Sequence, residues 1–354
     1  MATLYVASTE RLAGKTAFCA GLARLLGHAA KKVGYMKPVS SNLLPHSEPA
    51  DEDVLFLKKV LDLPDPLESM APAVVHSGLL GSPASDAVCR GLRQRIGDAQ
   101  ARISEGRDVV LAEGAGNLRE GMLVDLGPAQ VADLLCSAVV LVVKHESDQQ
   151  LLEDSLAGRV RFAERLAGVV LNSVPRPRLD FAEEVAKPAL EGRGIAVFGV
   201  LPLERHLQSI TVQEIAEALC GQVIGQSQLD ELVEHVMVGA MSAGTALSHF
   251  RLKPNKAVIT GWDRVDVQYA ALETSTKCLI LTGGQEAPEG VRRRAEELGV
   301  PLILVRQDTM AAAQGIEHAF GRTRCHHDRK VDLVEQMLAE RLDLGRVTAA
   351  LDAG

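Results

Sequence analysis

Residues 8 to 16 read Ser8-Thr9-Glu10-Arg11-Leu12-Ala13-Gly14-Lys15-Thr16 and lie between an apolar run, Leu4-Tyr5-Val6-Ala7, and a helical pattern that opens at Gly14. At a strand-to-helix turn of this kind, backbone N–H groups converge on a helix N-terminus, where the helix dipole adds positive charge and attracts phosphate. Gly14 lets the backbone approach closely, Lys15 has the reach for the outer phosphates of a nucleoside triphosphate, and the Thr16 hydroxyl suits Mg²⁺. The strict phosphate-loop pattern asks for glycine five positions before Gly14, where Thr9 stands. The reading therefore rests on context, a strand before the loop and an amphipathic helix after it. A plain helix start with an exposed lysine is the competing account.

Three further polar residues follow apolar runs. Val33-Gly34-Tyr35-Met36 leads into Lys37-Pro38, Asp108-Val109-Val110-Leu111-Ala112 into Glu113-Gly114-Ala115-Gly116, and Gly168-Val169-Val170-Leu171 into Asn172. In open α/β sheets ligands bind beyond the carboxyl ends of the strands, which favours a functional role for all three. Lys15 and Lys37 together would neutralise the charge that develops in phosphoryl transfer and are the candidate catalytic pair. Glu113 offers a hard oxygen to Mg²⁺, with a helix-capping or surface glutamate as the alternative. The knot Asp51-Glu52-Asp53 fits a metal site or a solvated helix start about equally, since acids favour a first helical turn. Asn172 presents a donor and an acceptor, suited to an adenine edge or to a turn.

The elements that must position these residues alternate short β-branched runs with helical patterns, the signature of a parallel sheet covered on both faces. Phe18, Leu22, Leu25 and Leu26 give the first helix one apolar stripe. Ala138 to Val143 is apolar throughout, as a strand buried on both faces should be. Ile195 to Pro202 reads as a last strand stopped by proline. The glycine-bearing stretch from Cys220 to Ser227 is the expected boundary, closing a first domain at residues 1–225 and opening a second, smaller α/β domain at 229–354. Its strands are expected at 257–260, 278–281 and 301–305 with helices near 264–273 and 288–299, and a packing helix from Lys330 to Leu351 carries Val331, Val334, Met337, Leu338 and Leu342 at helical spacing.

A length of 354 residues suits roughly two domains at the usual size. Net charge is −8, which argues against a basic nucleic-acid-binding surface. No apolar run approaches the roughly 20 residues needed to span a bilayer, and no secretory signal opens the chain, so a cytoplasmic protein is expected. The six cysteines lack paired spacing and read mostly as core thiols. Cys325-His326-His327-Asp328 holds metal-ligand types, but adjacent residues cannot all point at one ion. Asp263 is expected to cap the helix that follows it.

Lys15, Thr16, Lys37-Pro38-Val39, Asp53, Glu113-Gly114-Ala115-Gly116 and Asn172 resemble, in order and spacing, dethiobiotin synthetase and its relatives over roughly residues 1 to 225. The resemblance implies phosphate binding by Lys15 and Lys37, with Ser8, Thr9, Ala13 and Gly14 forming the nucleotide loop. It also implies Mg²⁺ binding by Thr16, Asp53 and Glu113, nucleotide contact by Gly114 and Gly116, adenine contact near Asn172, and a substrate contact at Ser41. Ser8 takes the place of that family's first loop glycine, and Asn42 the place of the glycine usual after Ser41. Thr260-Gly261-Trp262-Asp263-Arg264 followed by Leu281-Thr282-Gly283-Gly284 resembles the DRTGG domain. The pairing looks like the N-terminal regulatory part of long bacterial phosphotransacetylases, whose acetyl-transferring domain would begin where this chain stops. The expectation is an ATP- and Mg²⁺-binding regulatory protein with a small-molecule effector, a phosphotransacetylase-like protein partner and a homo-oligomeric, two-fold assembly. An ATP-dependent ligase or cyclase of the dethiobiotin synthetase type is the alternative.

Overall fold

The computed structural model describes residues 2–40, 51–75, 86–225, 228–321 and 325–353. The chain divides into two compact units, residues 1–203 together with 325–354, and residues 204–324.

The first unit is built on β1 (Ala2–Ser8), β2 (Val33–Met36), β3 (Val39–Ser40), β4 (Ala73–Val74), β5 (Val109–Glu113), β6 (Ala138–Lys144), β7 (Leu166–Val174) and β8 (Val197–Pro202). Six of these form one sheet in the order β2-β5-β1-β6-β7-β8, and each pairing in it is parallel. The short β3 and β4 pair with each other. The sheet is buried through its middle strands because their β-branched and leucine side chains are covered from both faces. Register then fixes which residues meet at the carboxyl edge. Val6 lies beside Glu113, Met36 beside Ala112, and Lys144 beside Asn172.

Helix Lys15–His28 buries Phe18, Leu22 and Leu26 of the expected stripe, with Leu25 half-buried. Against it lies helix Asp328–Arg341, from the far end of the chain. At Gly21 the two backbones come so close that a Cβ would stand 2.8 Å from both Val334 Cγ1 and Leu338 Cδ1. Arg24 pairs with Asp332 at 2.5 Å, and His28 meets Glu335 at 2.7 Å. A second tail helix, Leu344–Ala353, follows a break where the Asp343 amide donates to the Phe198 carbonyl at 2.7 Å.

The second unit contains β9 (Ile210–Thr211), β10 (Gln222–Ile224), β11 (Leu232–Val233), β12 (His235–Val238), β13 (Lys256–Gly261), β14 (Thr276–Thr282) and β15 (Leu302–Leu304). Its sheet runs β10-β15-β14-β13-β12, parallel except for the edge strand β10. Helices Val265–Leu272 and Glu289–Leu298 lie close to the expected ranges.

Two boundaries differ from the sequence reading. The glycine-bearing stretch expected to be the boundary contains β10, because Val223 and Ile224 pack onto the two apolar clusters of the second sheet. The tail expected in the second domain belongs to the first unit, because Val334 and Leu338 face Gly21 there. The second unit is thus an insertion between two segments of the first. Cysteine burial is also narrower than expected. Cys136 and Cys220 are exposed in left-handed turns that follow helices, whereas Cys19, Cys89 and Cys278 are buried. Asp263 is not the cap of helix Val265–Leu272, since Arg264 holds that position without a side-chain capping bond. Among the described residues no helix is long and apolar enough to cross a membrane.

Candidate functional site

The loop after β1 enters helix Lys15–His28 through Gly14, whose φ of 93° lies in the left-handed region where a Cβ is strained. The first turn of this helix has no side-chain cap and no acidic residue. Its leading N–H groups are therefore served by no capping side chain, as an anion site requires. Asn172, on β7, donates its amide to the Ala13 carbonyl at 2.8 Å. A Cβ on Gly14 would stand 2.6 Å from that amide nitrogen. Asn172 therefore fixes the loop itself, a role the adenine reading did not include.

Lys15 folds back over the loop and is buried. Its Nζ donates to Ser8 Oγ at 2.7 Å and to the Gly116 carbonyl at 3.3 Å, and Ser8 Oγ donates to the Glu10 carbonyl at 2.6 Å. Its hydrogen-bond partners are thus neutral oxygens. Burial lowers its pKa, the Glu113 carboxylate opposes that shift, and Lys37 adds to it. An arriving phosphate would supply the close anionic partner that this ammonium lacks. Thr9 Oγ1 is buried without a hydrogen-bond partner in the same loop. A buried hydroxyl left in that state is costly unless a ligand atom meets it. These two observations fit a phosphate-bearing ligand.

Glu113 ends β5 and is 1% exposed. Thr16 Oγ1 donates to its Oε1 at 2.7 Å and Tyr35 OH to its Oε2 at 2.9 Å. Burial raises the pKa of Glu113 against the attraction of Lys37 and Lys15. Gly114 donates its amide to the Val6 carbonyl at 2.8 Å and lies against Tyr5, so a side chain there would strike a strand. The Gly116 amide donates to Glu120 Oε2 at 2.6 Å while its carbonyl serves Lys15.

Lys37, just beyond β2, is held between two carboxylates, with Nζ at 3.0 Å from Asp51 and 2.6 Å from Asp53. Burial alone would lower its pKa, but Glu113, Asp53 and Asp51 raise it above the ordinary lysine value. Asp51 also caps helix Glu52–Val60, accepting from the Asp53 amide at 2.9 Å, and it accepts from the Ser40 hydroxyl. The acidic knot is thus both a helix start and part of the site. Asp53 accepts from His326 Nε2 at 2.9 Å. Burial would raise the Asp53 pKa, but His326 and Lys37 hold it well below the usual carboxylate range.

Of the metal ligands implied by resemblance, Thr16 and Glu113 touch, whereas Asp53 is engaged by Lys37 and His326. Among the described residues no group of three or more His, Cys, Asp or Glu side chains gathers to hold a metal ion. Ser41 lies outside the described residues. Sequence reading missed two members of the site. Tyr35 carried a signal, since a tyrosine in an otherwise aliphatic buried strand needs a partner for its hydroxyl. His326 drew notice only as one of the metal-ligand types in Cys325-His326-His327-Asp328, and nothing local pointed to its partner Asp53, 273 residues away.

Comparison with known proteins matches residues 2–211 to an AAA domain and residues 214–319 to the DRTGG domain. Phosphate acetyltransferase of Deinococcus radiodurans is 27% identical over 379 residues, covering 100% of this chain and 52% of that protein. The enzyme of the same name from Nitratidesulfovibrio vulgaris is 24% identical, covering 98% and 51%. The chain spans about half the length of the curated relatives it matches. Among solved structures, the MinD protein of Pyrococcus horikoshii with Mg-ADP is 16% identical, covering 58% of this chain and 83% of that one at a TM-score of 0.35. The CBS and DRTGG domains of Clostridium perfringens pyrophosphatase with diadenosine tetraphosphate are 19% identical, covering 38% and 69% at a TM-score of 0.28.

Proposed function

We propose, for a chain that belongs to the AAA domain family and carries a DRTGG domain after that module, that its first unit binds ATP with Mg²⁺ and regulates through the second. The observation that carries this reading is Lys15, a buried ammonium bonded to neutral oxygens beneath a left-handed glycine at an uncapped helix start. In this reading the loop amides, Thr9 and Lys15 hold the phosphates, and Thr16 and Glu113 hold the metal. Bound Mg²⁺ would neutralise phosphate charge. Asp53 reaches the metal by giving up one of its present partners. Lys37 likewise reaches a transferring phosphoryl group only by leaving Asp51 or Asp53. That engagement favours nucleotide binding with regulation over ligase or cyclase chemistry.

The relatives carry the name phosphate acetyltransferase over twice this length, and a regulatory part of such an enzyme is the role we assign. The second unit takes a small-molecule effector. A phosphotransacetylase-like protein or a second copy of this chain receives the signal.

Isothermal titration with Mg-ATP tests the reading. The parent is expected to bind, Lys15→Ala to lose at least about tenfold, equivalent to 1.4 kcal/mol, and Thr16→Ala to lose the advantage of Mg²⁺ over EDTA. Equal affinity in parent and Lys15→Ala, or none in the parent, ends the nucleotide reading. The regulatory half fails if saturating nucleotide leaves hydrogen exchange across residues 204–321 unchanged.

A further inference from the structure

We propose that His326 is a positioning residue that ties Asp53 of the candidate site to the segment by which the chain returns from the inserted second unit, so that a change in that segment reaches the site through this imidazole. The inference rests on the nucleotide-binding reading of the site and adds the route by which that site is regulated.

The chain leaves the first unit after Leu203 and returns at Cys325. His326 is the second residue of the return. Its Nε2 stands 2.9 Å from Asp53 Oδ1, and its ring stacks on Phe56 with centroids 4.7 Å apart and planes 29° apart. Asp53 and Phe56 are three residues apart in helix Glu52–Val60 and so share one helix face. That face offers a carboxylate and a flat apolar surface to the same ring, which fixes the imidazole in both direction and plane. The other Asp53 oxygen is 2.6 Å from Lys37 Nζ, so His326 and Lys37 share one carboxylate.

The residue after His326 anchors the segment in register. His327 is the N-cap of helix Asp328–Arg341 and accepts from the Arg329 amide at 3.2 Å. That helix packs at Gly21 on helix Lys15–His28, which begins at the phosphate loop. One returning segment thus touches the site twice, at Asp53 directly and through the loop's own helix. A shift of the return by a fraction of a helical turn would break a 2.9 Å contact, because hydrogen bonds weaken steeply with distance and angle. A ligand that alters Asp53 must, by reciprocity, alter the return segment.

The test is hydrogen exchange with mass spectrometry on the full chain, for the parent, His326→Ala, His326→Gln and Asp53→Asn, each free and with saturating Mg-ATP. Without nucleotide, His326→Ala is expected to speed exchange at the Asp53 and Val54 amides several-fold, and Asp53→Asn to do the same across 327–331. Gln places an amide donor near the position of Nε2, so His326→Gln should return exchange toward the parent. With Mg-ATP, the parent is expected to show altered exchange across 204–321, and His326→Ala to lose most of that response. The inference is overturned if the two nucleotide-free effects are absent, or if His326→Ala transmits the nucleotide response as the parent does. Failure of the parent to bind Mg-ATP would overturn the function proposed above, while the nucleotide-free reciprocity would still decide the role of His326.

Discussion

Each unit has its own sheet covered by helices on both faces, parallel throughout in the first and parallel except for β10 in the second, yet the two place buried charge differently. In the first, Lys15, Lys37, Asp51, Asp53 and Glu113 are buried around the carboxyl ends of β1, β2 and β5, and most of them touch another member. In the second, the buried polar groups at the carboxyl edge of β13 and β14 are neutral, among them Thr260 and Thr282, whose hydroxyl lies 3.0 Å from that of Thr309. The buried cation there is Lys256 at the opposite end of β13, whose Nζ donates to the Ser275 carbonyl at 3.1 Å. Burying an ion costs several kcal/mol, and a network recovers that cost only while every member is present. The first unit has concentrated this cost where a charged ligand would enter, and the second has kept one isolated ion away from its carboxyl edge.

Breaking the network should therefore give the largest effect. Lys37→Met leaves Asp51 and Asp53 buried beside each other and is expected to cost about 3–5 kcal/mol, the usual result of stranding one side of a buried pair. Thermal unfolding would read the loss, and exchange across residues 51–60 would localise it to the first unit. The acid limb sharpens the point. Asp53 is held well below the ordinary aspartate value of 3.8, so its stabilising contribution is present above that value and is lost progressively as pH falls below it toward the depressed folded value. Asp53→Asn should flatten that limb. A Lys37→Met protein within 1 kcal/mol of the parent would show that the network is not interdependent, and the contrast between the units would collapse.

The next effect concerns how the first unit keeps its tail. A side chain at Gly21 meets Val334 and Leu338 side chains and, at 3.4 Å, the Glu335 backbone nitrogen. Gly21→Val is expected to cost about 1–3 kcal/mol, the range for overpacking a close interface. Faster exchange confined to 328–341 and the first helix would confirm it. Equal loosening across 204–321 would contradict the assignment of the tail to the first unit.

Much of this site was legible because its residues sit at strand ends. The apolar runs before Lys37, Glu113 and Asn172 are strands in the structure, and the parallel register brings their ends together with the phosphate loop. What the sequence hid depends on long-range choice. Val334 and Leu338 have the spacing of a packing helix, but spacing does not say which sheet they cover, and Gly21 reads as an ordinary helix glycine until its partner is known. Gln222–Ile224 falls in the glycine-bearing stretch that marks the expected boundary, whereas its pairing with β15 makes it an edge strand. Asn172 was read for its donor and acceptor, and the structure directs the donor to the loop's own carbonyl.

The smallest effect tests the isolated ion. Burial pushes the Lys256 pKa down to about 8 from 10.5, so over that interval the unfolded chain binds more protons than the folded one. Stability of the second unit should therefore rise with pH between 8 and 10.5 by the linkage relation. Lys256→Met removes the ion without stranding a partner charge, because the Ser275 carbonyl is neutral. It is expected to stabilise the second unit modestly at pH 7, by less than the roughly 1–3 kcal/mol that Gly21→Val costs. Lys15 titrates in the same direction in the first unit, so the informative quantity is the difference between parent and variant followed by exchange within 204–321. A difference that closes as pH rises would show that Lys256 carries an unpaired cost. A difference that stays constant would show that Lys256 carries no such cost, and this side of the contrast between the units would fall.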